Sequence, residues 1–208
     1  DQVGALTTDQ LRSLETADLR AISTAALQGL NSAQIGSLTT DEVAVLTTAQ
    51  VASLNTTQLK GLNTADMVAL TSTQVASLRS DQVASLSTTQ LRAIETGDIK
   101  SLTTGDIRAL STDQLNSLTS DQLQALSSAQ ITSLTTDQVQ GLTTANLNVL
   151  TTDEVARFTT AQVKALTTDQ LQKLTTANLD ALGTGQYSVL TSDQVGALTT
   201  DQLRSLET

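Results

Sequence analysis

Large apolar side chains recur along this chain at alternating intervals of three and five residues, without a slip anywhere. Cut into blocks of eight from Asp1, the 208 residues make 26 octads with no remainder. The third position of each octad is Leu, Val or Ile, with Met67 and Tyr187 as the departures. The sixth is Leu apart from Ile22, Ile94 and Phe158, and the eighth is always Thr or Ser. A period this short is the organising feature of the sequence and takes precedence over any local motif.

Positions three and six are i,i+3 neighbours, which share one face of a helical turn but fall on opposite faces of a strand. A continuous helix is excluded, because eight residues at about 100° each rotate the apolar stripe by about 80° per octad and no simple partner covers it. Adjacent Thr pairs also disfavour a helix interior. The pattern instead predicts a short helical turn in every octad, then a two-residue bend at the Thr pair. Position eight reads as the N-cap, which makes Thr8, Thr16, Thr24, Ser32 and Thr40 the first candidate caps. Position seven offers a second register, in which Thr7-Thr8-Asp9-Gln10 reads as a capping box, and the two registers stay open. Asp at position one, as at Asp9 and Asp41, suits the first turn of a helix. Position five is mostly Ala, Ser or Gly and permits close stacking.

The predicted core is the apolar pair of each octad, beginning with Leu11 and Leu14, Leu19 and Ile22, and Leu27 and Leu30. Burying two aliphatic side chains contributes about 3–6 kcal/mol, well short of the entropy lost on fixing eight backbones. One octad therefore cannot fold alone, nor can an isolated helical turn. The chain must coil so that octads touch neighbours on more than one side. The expected fold is all-α, a solenoid or superhelix of 26 octads with positions one, four and seven outward. A β-solenoid is the rival, since Thr, Val and Ile suit strands. The Gln, Leu and Ala content and the capping pattern favour the helix.

No linker or shift in composition interrupts the array, so residues 1–208 read as one continuous domain. Gly183-Thr184-Gly185 is the loosest turn, and Arg157 beside Phe158 marks a local repacking. Residues 1–16 are identical to residues 193–208, a separation of 192 residues or 24 octads. A second, longer period that restarts at Asp193 is one reading, and deliberate duplication is the other. The array is expected to continue into something longer.

Composition then narrows the chemistry. The chain has no Cys, His, Trp or Pro and only Phe158 and Tyr187 as aromatics. Disulfides, thiolates and imidazole ligands are thereby removed. A formal net charge of -10 argues against binding nucleic acid, which needs clustered Lys and Arg. No run approaches the roughly 20 apolar residues of a membrane span, so membrane insertion is not expected. The carboxylates at position one lack the alternating ligand spacing of a calcium loop, and the Lys and Arg at position four are dispersed. No base lies near a nucleophile in any motif, so no enzyme activity, cofactor or metal is expected. The remaining surface feature is a Thr/Ser ladder, with Asn55-Thr56-Thr57 as an N-x-T acceptor pattern. Such a ladder serves either as caps or as a contact for glycans, ice or another surface.

The octads at residues 166–174 and 198–206, of the Leu-Thr-Thr-Asp-Gln-Val/Leu-x-x-Leu type, resemble repeat tracts of very large secreted bacterial surface proteins labelled adhesin-like or haem-utilisation/adhesion proteins. The resemblance spans the whole chain and implies an extracellular or cell-surface filament, fibre or adhesin stalk that self-associates. It carries over no haem site, because the sequence lacks His, Cys and a Met cluster. A likeness of the Leu-Thr-Thr-Asp-Gln-Val phrase to the DNA-reading TAL effector repeats fails on their longer period and on the charge.

Overall fold

The computed structural model describes residues 3–206. Among these, a 3-10 turn at Val3–Ala5 is followed by 25 α-helices, one per octad, each of four to six residues. No strand occurs among the described residues, so the fold is an all-α repeat solenoid and the β-solenoid alternative is overturned. No helix there is long and apolar enough to cross a membrane.

The bend lies one residue earlier than the Thr pair. Leu46 and Thr47 show the pattern: φ/ψ of -54/139 and -71/156, extended at positions six and seven. Thr48 at position eight already opens the next helix, Thr48–Ser53. The N-cap is therefore position seven, and Thr8, Thr16, Thr24, Ser32 and Thr40 are the first residues of their helices rather than caps. The physical reason lies three residues on. With the cap at position seven, N3 is position two, usually Gln, which can reach back to the cap amide. A cap at position eight would have put an apolar side chain at N3.

Contacts divide the chain into two compact units, Asp1–Leu110 and Ser111–Thr208. The octad phase runs through the division unbroken. Within each unit a helix packs on the helix three octads further along. In the first, Thr24–Gln28 meets Thr48–Ser53, Thr40–Val45 meets Thr64–Ala69, and Ser80–Ser85 meets Thr104–Ala109. In the second, Thr136–Gly141 meets Thr160–Ala165 and Thr176–Asp180 meets Thr200–Ser205. Side chains of position two span 28 and 31 residues, so one turn of the coil takes between three and four octads.

Positions three and six form the core. Leu11, Leu19 and Leu27 are fully buried and Leu30 nearly so, whereas Leu14 and Ile22 are only half-buried. Position six leans on the preceding turn, and the first octads have none among the described residues. Position three leans on the following turn, and Val195 and Leu203, near the other end, are accordingly exposed. Phe158 fits the position-six slot and is buried.

Where small residues meet, backbones approach closely. A Cβ on Gly36 would lie 2.3 Å from the Gly61 carbonyl oxygen, and one on Gly61 would lie 2.1 Å from that of Ser32. The backbone leaves no space there for even a methyl group. Exposed ion pairs such as Lys173–Asp169 at 2.8 Å and Arg204–Asp201 at 3.9 Å add little.

Two predictions follow from this packing. Leu59→Ala, at a fully buried position, should lower unfolding stability by about 2–5 kcal/mol in urea titration followed by circular dichroism. Gly61→Ala should cost about 1–3 kcal/mol through backbone displacement, although it adds only one methyl group; a neutral result in the same titration would refute the close contact.

Candidate functional site

The chemistry-bearing position in every octad is the second. At Gln58 the side chain sits at N3 of the helix Thr56–Leu59, whose N-cap is Asn55. Asn55 Oδ1 accepts from the Gln58 amide at 2.9 Å, and Gln58 Oε1 accepts from the Asn55 amide at 2.9 Å, which closes a capping box. The other half of the carboxamide points away from its own helix. Gln58 Nε2 donates to the carbonyls of Leu27 at 2.9 Å and Leu30 at 2.7 Å, 31 and 28 residues earlier. Both Nε2 protons and the amide oxygen are thus used, and Gln58 is 1% exposed.

The arrangement repeats in both units. Gln50 reaches Leu19 and Ile22, Gln74 reaches Val43 and Leu46, and Gln82 reaches Val51 and Leu54. In the second unit Gln162 reaches Ile131 and Leu134, Gln170 reaches Val139 and Leu142, and Gln202 reaches Leu171 and Leu174. The acceptors are positions three and six, the carbonyls that a helix leaves free at its C-terminal end. One glutamine therefore satisfies the start of its own helix and the end of a helix one turn back.

The duplicated octads separate sequence from surroundings. Residues 9–14 equal residues 201–206, yet Gln10 is exposed while Gln202 is 2% exposed with both staple bonds. Leu11 is fully buried while Leu203 is 44% exposed. Position two depends on the turn before it and position three on the turn after it. Of the predicted 192-residue restart, Asp1, Gln2, Glu207 and Thr208 lie outside the described residues.

Substitutions at position two follow side-chain length. Asn146 is one methylene too short to bridge both ways, and it keeps the inter-turn bond, donating to the Asn116 carbonyl at 3.0 Å. The amide of its N-cap, Thr143, is then taken by Asn116 Oδ1 at 2.9 Å. Asn178 and Asn148 repeat the solution: Asn178 donates to Leu150 at 3.1 Å, and Asn148 Oδ1 accepts from the Thr175 amide at 3.0 Å. Asp66 and Asp106 choose the cap instead. Asp106 Oδ2 accepts from the Thr103 amide at 2.7 Å and Oδ1 from the Ser80 hydroxyl at 2.8 Å, and Asp98 accepts from Ser72 likewise. Burial pushes the Asp66 carboxyl above its ordinary value of 3.8, against the opposing bond from the Asn63 amide. Burial raises Glu154 above 4.5 in the same way, opposed by the Thr151 amide and hydroxyl and reinforced by Asp153.

Position four supplies a further set of inter-turn bonds directed the other way along the chain. Gln28, Asn116, Gln124 and Asn148 each donate to a position-five carbonyl 25 residues later, at 2.8–3.1 Å. Arg79 departs from the cap pattern at position seven, and its guanidinium reaches the Ala52 carbonyl and pairs with Asp81 at 3.0 Å. That hydrogen bond holds the Asp81 carboxyl below its ordinary value. Tyr187 fills a core position with its hydroxyl donating to the Leu179 carbonyl at 2.5 Å. Burial first, and then Asp180, push it up to about 12.

Of the residues singled out in the sequence, Asn55 is an N-cap, and Gly183-Thr184-Gly185 begins the helix Thr184–Tyr187. The position-eight hydroxyls, freed from capping, face outward at Thr40, Thr48, Thr64, Thr88 and Thr96. An open groove of about 700 Å³ between turns of the first unit is lined by Lys60, Asn63, Thr64, Ser87 and Thr89. The sequence reading missed position two as a site. Its signal was available: apart from Ala26, every octad carries Gln, Glu, Asp or Asn there.

A family model described as the ALTTAQ repeat matches the chain in seven overlapping stretches, at residues 11–48, 43–80, 61–93, 91–128, 122–152, 144–176 and 172–208. Its six letters correspond to positions five to eight followed by one and two, as at residues 165–170, the span that contains the bend, the cap and the staple. No curated protein matches the chain.

Gln58→Ala strips partners from one cap amide and two carbonyls, and the expected loss is roughly 2–5 kcal/mol in chemical denaturation. The asparagine pair is tested by a double-mutant cycle on Asn116→Ala and Asn146→Ala. A coupling energy of about 0.5–3 kcal/mol is expected, and strict additivity would contradict the shared role.

Proposed function

Because the chain belongs to the ALTTAQ repeat family, whose tandem octads serve a repeat-based structural role, we propose that it acts as an extracellular or cell-surface filament, fibre or adhesin stalk. The observation that supports this reading is the staple rule itself. Each octad is bound by contacts to octads one turn away, and each offers the same contacts onward. Such a rule extends an array by repetition and builds no cleft. In this reading the chain self-associates, catalyses nothing, and contacts neither nucleic acid nor a membrane interior. The acidic surface keeps neighbouring arrays soluble.

Negative-stain electron microscopy of the full chain should show thin fibres of constant width whose length grows with protein concentration. Particles that stay compact and equal in size at every concentration would refute the filament reading.

A second reading draws on the outward hydroxyls at position eight and the open groove beside Lys60 and Asn63. They suit contact with a glycan or another hydroxyl-rich surface. A glycan array should then show binding that Asn63→Ala and Thr89→Ala reduce; an array without signal removes this reading.

A further inference from the structure

Two octads place a glutamate where the staple glutamine belongs, and they behave unlike the aspartates. Glu42 keeps half of the device: its Oε2 accepts from the Thr39 amide at 2.6 Å, and Thr39 Oγ1 accepts from the Glu42 amide at 3.2 Å. Its other oxygen, Oε1, is buried and has no hydrogen-bond partner, in a residue only 3% exposed. By the spacing that Gln50 and Gln58 obey, this oxygen occupies the place of an amide nitrogen that donates to carbonyls 31 and 28 residues back. For Glu42 those carbonyls belong to Leu11 and Leu14. A carboxylate there sets oxygen against oxygen with no hydrogen between them.

Three occupants could relieve that arrangement, and the dimensions select one. The glutamine staples hold nitrogen and carbonyl oxygen 2.8–2.9 Å apart. A hard cation needs about 2.3–2.6 Å to each of six or more oxygens and so does not fit between two oxygens at that separation. A serine hydroxyl of the kind that serves Asp98 and Asp106 is not used at Glu42. A proton on the carboxyl fits, because a carboxylic acid has the shape of the carboxamide and an O–H···O bond spans about 2.7 Å.

We propose that Glu42 is a proton-dependent version of the glutamine staple, donating a carboxyl O–H to a carbonyl of the preceding turn in acid and losing that bond when ionised. The proton comes from solvent and returns to it. The surroundings give no alternative compensation at Glu42. On the elements packed against it the charged groups are Asp18, Arg20 and Asp66, with Asp41 on its own helix, and Asp9 and Arg12 lie on the helix that carries Leu11. Neither arginine forms an ion pair with it. The sign follows from the bond itself: only the neutral acid carries the O–H that donates, so the contact is present in acid and lost as pH rises.

The test compares the full chain with its Glu42→Gln and Glu154→Gln variants, which supply the amide permanently. Amide protection factors in Thr8–Arg12 and Thr40–Val45 are measured by hydrogen exchange between pH 4 and pH 7 and corrected for intrinsic rates. In the natural chain they should fall roughly tenfold as pH rises, the equivalent of one hydrogen bond. In Glu42→Gln they should stay level and exceed the natural chain at pH 7. Glu154→Gln, a control in the other unit, should leave the Glu42 region unchanged. Protection that is level with pH in the natural chain, or that still falls in Glu42→Gln, would overturn the proposal.

Discussion

An α-helix leaves its first four N–H groups and its last four carbonyls without partners, so a helix of four to six residues consists almost wholly of ends. Every octad here has this problem, and buried unpaired backbone groups are too costly to leave. Position two resolves it from both directions with one side chain. The carboxamide oxygen of Gln58 closes the start of one helix, and its nitrogen closes the end of another a turn away. Glutamine is the residue for this task because it is the shortest side chain that carries an acceptor and two donors at that reach. Thr or Ser at position seven completes the box from the other side.

The same contacts give the coil a direction. Positions two and six look toward the preceding turn, position three toward the following one, and position four sends its amides forward to position five. Two copies of one octad consequently have opposite buried faces, Leu11 with an exposed Gln10 and Gln202 with an exposed Leu203. Where the residue at position two changes, its partner one turn away changes with it. Asn146 and Asn178 are matched by Asn116 and Asn148, and Asp98 and Asp106 by Ser72 and Ser80. These pairs are separated by 26 to 30 residues and connect octads that share no local motif.

The helical octad, the apolar pair at positions three and six and the need to coil were legible from periodicity, because i,i+3 spacing has only one helical meaning. The capping register was not chosen, since Thr7 and Thr8 are both competent caps; the deciding residue was Gln10, whose role depends on N3 geometry. Leu14 and Ile22 were placed in the core as firmly as Leu30, because periodicity cannot tell which turn covers which position. The staple went unread because its two ends lie 28 and 31 residues apart, and that spacing is a property of the coil rather than of the octad.

The central claim is that position-two carboxamides join successive turns, and side-chain amide exchange observed by nuclear magnetic resonance tests it most directly. The Nε2 protons of Gln58, Gln82 and Gln170 should exchange far more slowly than those of Gln10, which occupies the same octad position with no preceding turn among the described residues. Through-bond couplings should link the Gln58 side-chain nitrogen to the carbonyl carbons of Leu27 and Leu30. Exchange as fast at Gln58 as at Gln10, with no such couplings, would contradict the account.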